Sequence, residues 1–275
     1  FESIVFKGGT SLSKAYGLIH RFSEDIDLAA ITDGLSDSKR KKFLKSVDKI
    51  ACNGLEPLEE DKRTSKHSSF RKVVYRYPRL IEKRDFGQAS SELLIEVNAF
   101  TNPEPAEKMT IQTMIADMLV REGRQDLVDQ YELGPFELKV LSVKRTLIEK
   151  LLRIIKESYS ADPVARLNIQ IRHVYDICMI LKESENRKFV SSDEFSALCQ
   201  RCIADEIDSW NEDQTACLRK PLHTAPLFHR LDEWWPKIES TYTNVFADLV
   251  YGDLPDVEEI KEALNFLHQK LIKIK

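Results

Sequence analysis

No apolar run in these 275 residues approaches the roughly 20 that a membrane-spanning helix requires, and no signal-like segment opens the chain. A soluble, cytoplasmic protein with no membrane partner is therefore expected. Glycine and proline are scarce, at 9 and 10 residues, too few for a collagen-like or low-complexity chain. An ordinary globular protein follows, long enough for one large domain or two modest ones. The five cysteines, Cys52, Cys178, Cys199, Cys202 and Cys217, are odd in number and scattered, which suits a reducing compartment better than a disulfide framework. Cys199 and Cys202 do make a C-x-x-C, with Cys217 and His223 downstream, but the second half of the usual zinc pattern is missing. Phe195, Leu198, Cys199, Cys202, Ile203 and Ile207 recur at helical spacing, so a helix seam with small apolar cysteines is the simpler expectation. The chain opens at Phe1 without a methionine and enters a strand at once, so upstream residues are expected.

Net charge is only -4, yet its distribution is uneven. Between positions 62 and 84 stand Lys62, Arg63, Lys66, Arg71, Lys72, Arg76, Arg79, Lys83 and Arg84, against the single acid Glu82. Phe70, Tyr75 and Tyr77 interleave aromatic faces that can stack on unpaired bases. Lys66, Arg71, Lys72 and Arg76 are the candidate RNA contacts from this stretch; a solvated hairpin is the alternative. A second basic cluster, residues 39–42 with Lys45, is expected to coat an exposed helix.

What stands out is residues 7–28, KGGTSLSKAYGLIHRFSEDIDL. Residues 3–6 read as a short apolar strand running into Gly8 and Gly9. Leu12, Ala15, Tyr16 and Ile19 then recur at i, i+3, i+4, i+7, which predicts an amphipathic helix with Thr10 or Ser11 as N-cap. Asp25-Ile26-Asp27 follows on a second strand. Further on, residues 39–55 look helical, and residues 70–77 and 91–100 look like strands. In the latter, Leu93, Ile95, Val97 and Ala99 alternate with Leu94, Glu96, Asn98 and Phe100, so one face is apolar and Glu96 projects from the other. A short helix is read over residues 115–120 and a last strand over residues 136–141. Thereafter helical periodicity dominates, through Leu147, Leu151, Leu152 and Ile155, then Val174, Ile177, Cys178 and Leu181. The predicted fold is α+β: a mixed-sheet domain over residues 1–143 followed by a helical domain over residues 144–275.

Asp25 and Asp27 on one strand leave the same face with Cα atoms about 7 Å apart, at roughly 3.3 Å rise per residue. Transfer of a nucleotide from a polyanionic triphosphate needs such clustered carboxylates to hold divalent metal. Hard oxygen ligands favour Mg²⁺ or Mn²⁺ over zinc. Glu96 is the candidate third ligand, because it interrupts an apolar strand on its polar register; Glu92 shares that register and is the fallback. Gly8 and Gly9 open space for phosphate beside backbone N–H groups and a helix N-terminus. Ser11 can add a hydroxyl donor, and Lys7, Lys14 or Arg21 a cation. Neither G-x-x-x-x-G-K-[ST] nor G-x-G-x-x-G is present.

Residues 6–28 resemble the first motif of the AbiEii/AbiGii family, nucleotidyltransferase toxins of abortive-infection, or phage-defence, and type IV toxin–antitoxin systems within the DNA polymerase β-like superfamily. RTLIEK, residues 145–150, and RHVYD, residues 172–176, are similar to its later RT-x-x-EK and RH-x-YD motifs. The resemblance runs from residue 1 to about residue 181. It implies a polymerase β-like nucleotidyltransferase domain, an NTP substrate, a tRNA or other RNA acceptor and a cognate antitoxin. It further implies that Asp25 and Asp27 are the metal pair and that Gly8, Gly9 and Ser11 form the phosphate loop. Lys150 would be the lysine near the triphosphate and Asp176 a base or orienting group. Asp25 follows the glycines after a longer insert than the generic superfamily pattern has, which favours the toxin branch. Two other readings stand beside it: a nucleotide-binding module of the same fold without turnover, and an aminoglycoside-type adenylyltransferase. Arg145 and Arg172 are read as salt-bridge formers between helices.

Overall fold

The alternation read along residues 93–99 is realised as a strand inside a mixed sheet, its apolar side turned to the core. A computed structural model describes residues 2–23, 25–78, 92–100 and 102–274, and the chain divides into two compact units. Unit 1 comprises Phe1–Gly17, Ser23–Leu80 and Ser91–Ser142; unit 2 comprises Leu18–Phe22, Ile81–Ser90 and Val143–Lys275.

Unit 1 runs β1 (Ile4–Lys7), α1 (Gly8–Lys14), β2 (Asp25–Ala30), α2 (Asp37–Ala51), β3 (Glu56–Pro57), β4 (Ser65–Lys66), β5 (Phe70–Arg76), β6 (Glu92–Asn98), β7 (Ala106–Ile111), α3 (Met114–Arg121), α4 (Gln125–Gln130) and β8 (Phe136–Leu141). The strands order as β3-β5-β6-β2-β1-β8-β7, with β4 paired to β5. β2 is central, parallel to β6 and antiparallel to β1. Phe6, Leu28, Val73, Tyr75, Ile95, Val97 and Val140 fill one face, with Leu44 of α2 packed into the same cluster. Each such side chain contributes about 1.5 to 3 kcal/mol by leaving water. Asp48 fixes α2 to the sheet: buried, it accepts from Arg71 Nε at 2.5 Å and from the Tyr75 hydroxyl at 2.6 Å.

Two local expectations for this unit need correction. The helix expected to reach Ile19 ends at Lys14, and the chain turns at Gly17, whose φ of +63° suits a residue without Cβ. Neither Thr10 nor Ser11 caps it, because α1 begins at Gly8 directly from the strand, with Lys7 in the N-cap position. β7 and α4 were not legible; β7, AEKMTI, is a half-exposed edge strand whose charged residues blunt the apolar alternation.

In unit 2 the described helices are α5 (Val143–Ser158), α6 (Pro163–Ile169), α7 (Ile171–Lys182), α8 (Ser184–Val190), α9 (Asp193–Ser209), α10 (Glu212–Thr215), α11 (Pro226–Ser240) and α12 (Val257–Leu271), with short 3₁₀ and π turns between α10 and α12. α5 buries residues nearly all round, including Leu147, Ile148, Leu151, Leu152, Ile154 and Ile155. It is thus a central helix rather than an amphipathic surface one. Cys199 and Cys202 lie buried along α9 beside Phe195 and Leu198, and burial pushes the Cys202 thiol up to about 12. The segment Leu18–Phe22 is strapped into this unit. His20 donates its N–H to the Tyr175 hydroxyl and accepts from Tyr251 N, while Phe22 N donates to Leu249 O. Among the described residues no helix is long and apolar enough to cross a membrane.

Candidate active site

β2 carries Asp25 and Asp27 on the face opposite the apolar cluster. Asp27 stands across from Lys7 of antiparallel β1 and from Glu96 of parallel β6, and Glu96 stands across from Lys72 of β5. Lys7, Asp27, Glu96 and Lys72 therefore form one cross-strand row, two neighbouring carboxylates flanked by two lysines. Asp25 lies two residues along β2 on the same face, opposite Leu94. Lys72 Nζ approaches Glu96 Oε2 to 3.9 Å. Among the described residues, no three histidine, cysteine, aspartate or glutamate side chains converge closely enough to hold a metal. The three carboxylates share a face but stay dispersed, as expected for like charges that at 4 Å repel by about 4 kcal/mol at an effective dielectric near 20. Their chemistry, oxygen donors only, fits a hard divalent cation. Glu92, also on this face, is engaged elsewhere: its Oε2 accepts from Arg63 Nη2 at 2.8 Å.

The start of α1 is built against this row. Gly8 has φ +82°, and a Cβ there would fall 2.0 Å from Asp27 Oδ2. Only glycine lets the backbone pass so close to that carboxylate. Thr10 Oγ1 donates to the Asp25 carbonyl at 2.5 Å, tying α1 to β2. This tie was not anticipated, since Thr10 was read as a cap. Lys14, at the C-terminal end of α1, is partly buried; desolvation lowers its ammonium pKa and nearby Asp117 partly offsets this.

In unit 2 a second polar cluster surrounds Asp176 of α7, which is fully buried. Arg21 donates from Nε to Oδ1 at 2.7 Å and from Nη2 to Oδ2 at 2.8 Å. Lys150 Nζ of α5 lies 2.7 Å from Asp176 Oδ2 and 3.3 Å from His173 Nδ1. Burial alone would raise the Asp176 pKa, but the charges of Lys150 and Arg21 and the bonds they donate hold it well below the usual carboxylate range. His173 is held well below its ordinary value by burial and then by the Lys150 charge. The imidazole is therefore neutral, and Nδ1 is the acceptor.

Residues 1–265 of the 275 match the family model described as nucleotidyl transferase AbiEii toxin, type IV toxin–antitoxin system. The chain belongs to the AbiEii family. It is a nucleotidyltransferase and the toxin of a type IV toxin–antitoxin system, which implies an NTP substrate and a cognate antitoxin. The AbiEii family uses a divalent metal with its NTP. Among solved structures, MenT4, a nucleotidyltransferase toxin from Mycobacterium tuberculosis H37Rv, is similar over 97% of this chain and 84% of that one, with 19% identity and a TM-score of 0.47. No curated protein matches the sequence significantly.

Several residues read from the AbiEii sequence as ligand contacts are placed otherwise. Ser11 is fully buried and donates its hydroxyl to Gly8 O at 3.0 Å, so it does not offer that proton to a phosphate. Arg21 is buried and turned into the Asp176 carboxylate. Asp176 is ionised and gripped by two cations, so it holds no proton-accepting lone pair free of them. The basic stretch is also largely neutralised. Arg63 pairs with Asp61 and Glu92, Lys66 with Glu59, and Arg71 with Asp48. Lys62 and Arg76 remain exposed, while Arg79, Lys83 and Arg84 lie outside the described residues. Arg145 is buried and bonds Glu149 at 3.0 Å and Asp205 at 2.5 Å, linking α5 to α9.

Proposed function

We propose that this AbiEii toxin transfers NMP from an NTP to an RNA acceptor and releases pyrophosphate, with Mg²⁺ as the cation and Mn²⁺ as its substitute. A tRNA 3′ end is the first acceptor to test. The reading is carried by the register that sets Asp27 beside Glu96, with Asp25 on the same face and bare Gly8 against Asp27 Oδ2. Asp25, Asp27 and Glu96 would hold the cation. When bound, it would neutralise triphosphate charge and activate the attacking hydroxyl. The chain's own groups supply the rest. Gly8 and Gly9 leave phosphate oxygens room that any side chain would take, and Lys7 and Lys14 add positive charge at the two ends of α1. Lys150 neutralises phosphate, and Asp176 orients Lys150. The functional division falls near residue 143, with the metal carboxylates before it and Lys150 and Asp176 after it. Growth arrest in the cytoplasm during phage infection is the setting that the family membership supports.

The test is incubation of the protein with each labelled NTP in turn, Mg²⁺ and total RNA. Transfer from a preferred NTP is expected, abolished by chelation and by Asp25→Ala or Asp27→Ala. Label transfer that survives either substitution would overturn the assigned site.

A further inference from the structure

Helix α3 of unit 1 is amphipathic, yet its apolar side faces water. Thr113 caps it by accepting from Ala116 N at 3.1 Å, so the helix is locally well formed. At about 100° per residue, Met114, Ile115, Met118 and Leu119 fall on one side of it. A surface helix ordinarily turns such a stripe to the core. Here Met114, Ile115 and Met118 are 45, 61 and 50% exposed, and small Ala116 is the residue buried. α3 and α4 pack chiefly on each other, and Tyr131 and Phe136, which follow α4, are exposed as well. Exposed apolar residues scattered singly are ordinary, but a stripe along one helix marks a site of interaction.

The charges around the stripe say what covers it. Residues 112–137 hold six acids, Asp117, Glu122, Asp126, Asp129, Glu132 and Glu137, against Arg121, Arg124 and no lysine. Arg124 is paired with Asp126. Among the described residues Glu122, Asp129, Glu132 and Glu137 make no ion pair. Such a rim repels a second copy of the same hairpin, anionic lipid headgroups and nucleic acid alike. It attracts a basic surface. We propose that the α3–α4 hairpin is a docking surface for another protein, one that presents a helix with apolar residues along one side and lysine or arginine flanking them. Met114 and Met118 are unbranched and adapt to the apolar side of that helix, while the acids steer its basic flanks.

The probe is a labelled synthetic peptide of leucine and lysine, about four helical turns long with leucine at i, i+3, i+4 and i+7, and fluorescence anisotropy measures its binding to the full chain. The same peptide with glutamate for lysine is the control and should not bind. Ile115→Gln with Met118→Gln keeps helix propensity and should weaken binding of the lysine peptide at least about tenfold. Its melting temperature should be unchanged, because both side chains already meet water. Asp129→Asn with Glu132→Gln should weaken binding about threefold at about 0.05 M salt and not at about 0.5 M. No binding of the lysine peptide, or unchanged affinity in the Ile115 and Met118 double variant, would overturn the surface; equal binding of the glutamate peptide would overturn the basic partner. A wild-type dimer in sedimentation that the double variant dissolves would give the stripe to a second copy. Phosphatidylcholine vesicles bound by the wild type and not by the double variant would give it to lipid, and either result overturns the proposal. Should the double variant melt early, Met114→Gln at the start of α3 replaces it, with a loss of about threefold expected and no loss overturning the surface.

Discussion

Gly8 shows how a single missing carbon can shape a site. Its positive φ costs an L-residue about 1 to 2 kcal/mol, and the added Cβ would fall 2.0 Å from Asp27 Oδ2. Gly8→Ala should therefore lower unfolding free energy by at least that amount in urea titrations and displace Asp27, abolishing NMP transfer. A variant with wild-type stability and transfer would show that the backbone accommodates the methyl group. His173 gives a residue-scale prediction in pH. Its folded pKa lies below the ordinary 6.5 because of burial and then the charge of Lys150, with Arg21 and Arg153 adding to the depression and Asp176 opposing it. The unfolded chain thus binds the proton first. Stability from neutral His173 is complete above about pH 6.5 and is lost as pH falls toward the folded pKa, by at most about 1.4 kcal/mol per unit. Urea unfolding between pH 7 and 5 should show this loss, and His173→Asn should flatten the slope. The two clusters differ in how far sequence could reveal them. Strand alternation, a local rule, put Asp25 and Asp27 on one face of their strand and Glu96 on the polar register of another; the β2–β6 pairing brings those faces together. Arg21 and Asp176 are 155 residues apart, and no periodicity connects them, so Arg21 read as a free cation.

At the level of elements, β5 carries two kinds of basic residue, and the strand's period of two separates them. Arg71 lies on the face turned to α2, where it closes the bond to buried Asp48; Arg76 lies on the other and is exposed. Arg71→Met would leave Asp48 with Tyr75 alone, which should cost about 2 to 3 kcal/mol after allowance for partial exposure. Arg76→Gln should leave the melting temperature unchanged. Thermal unfolding of the two variants checks this assignment, and a stable Arg71→Met would contradict it. The charge run 62–84 was overread for the same reason. The acids that neutralise it, Asp48, Glu59, Asp61 and Glu92, come from outside the run or its leading edge, and pairing across a sheet is invisible in a linear count. α1 was overextended because Ile19 falls at helical spacing by coincidence. The chain has already turned at Gly17, and Ile19 is buried in unit 2.

For the whole molecule, the net charge of -4 means that the proposed RNA acceptor would be held only by local concentrations of positive charge, so the number of phosphates engaged becomes the decisive quantity. For single strands each phosphate contact contributes about 0.7 to the slope of log K against log salt. Lys62→Gln with Arg76→Gln removes two exposed charges and should reduce the slope for RNA binding by about 1.4. Arg63→Gln with Lys66→Gln removes two charges already answered by Asp61, Glu92 and Glu59. Less than half that reduction is expected, because freed carboxylates replace the lost attraction with repulsion only at short range. Filter binding across a salt series gives both slopes. Equal reductions would mean that the ion pairs open on binding and that the whole run meets the acceptor. No reduction from the first pair would remove this stretch from the acceptor site altogether, leaving the metal face of β2 and β6 without its proposed RNA neighbour on β5.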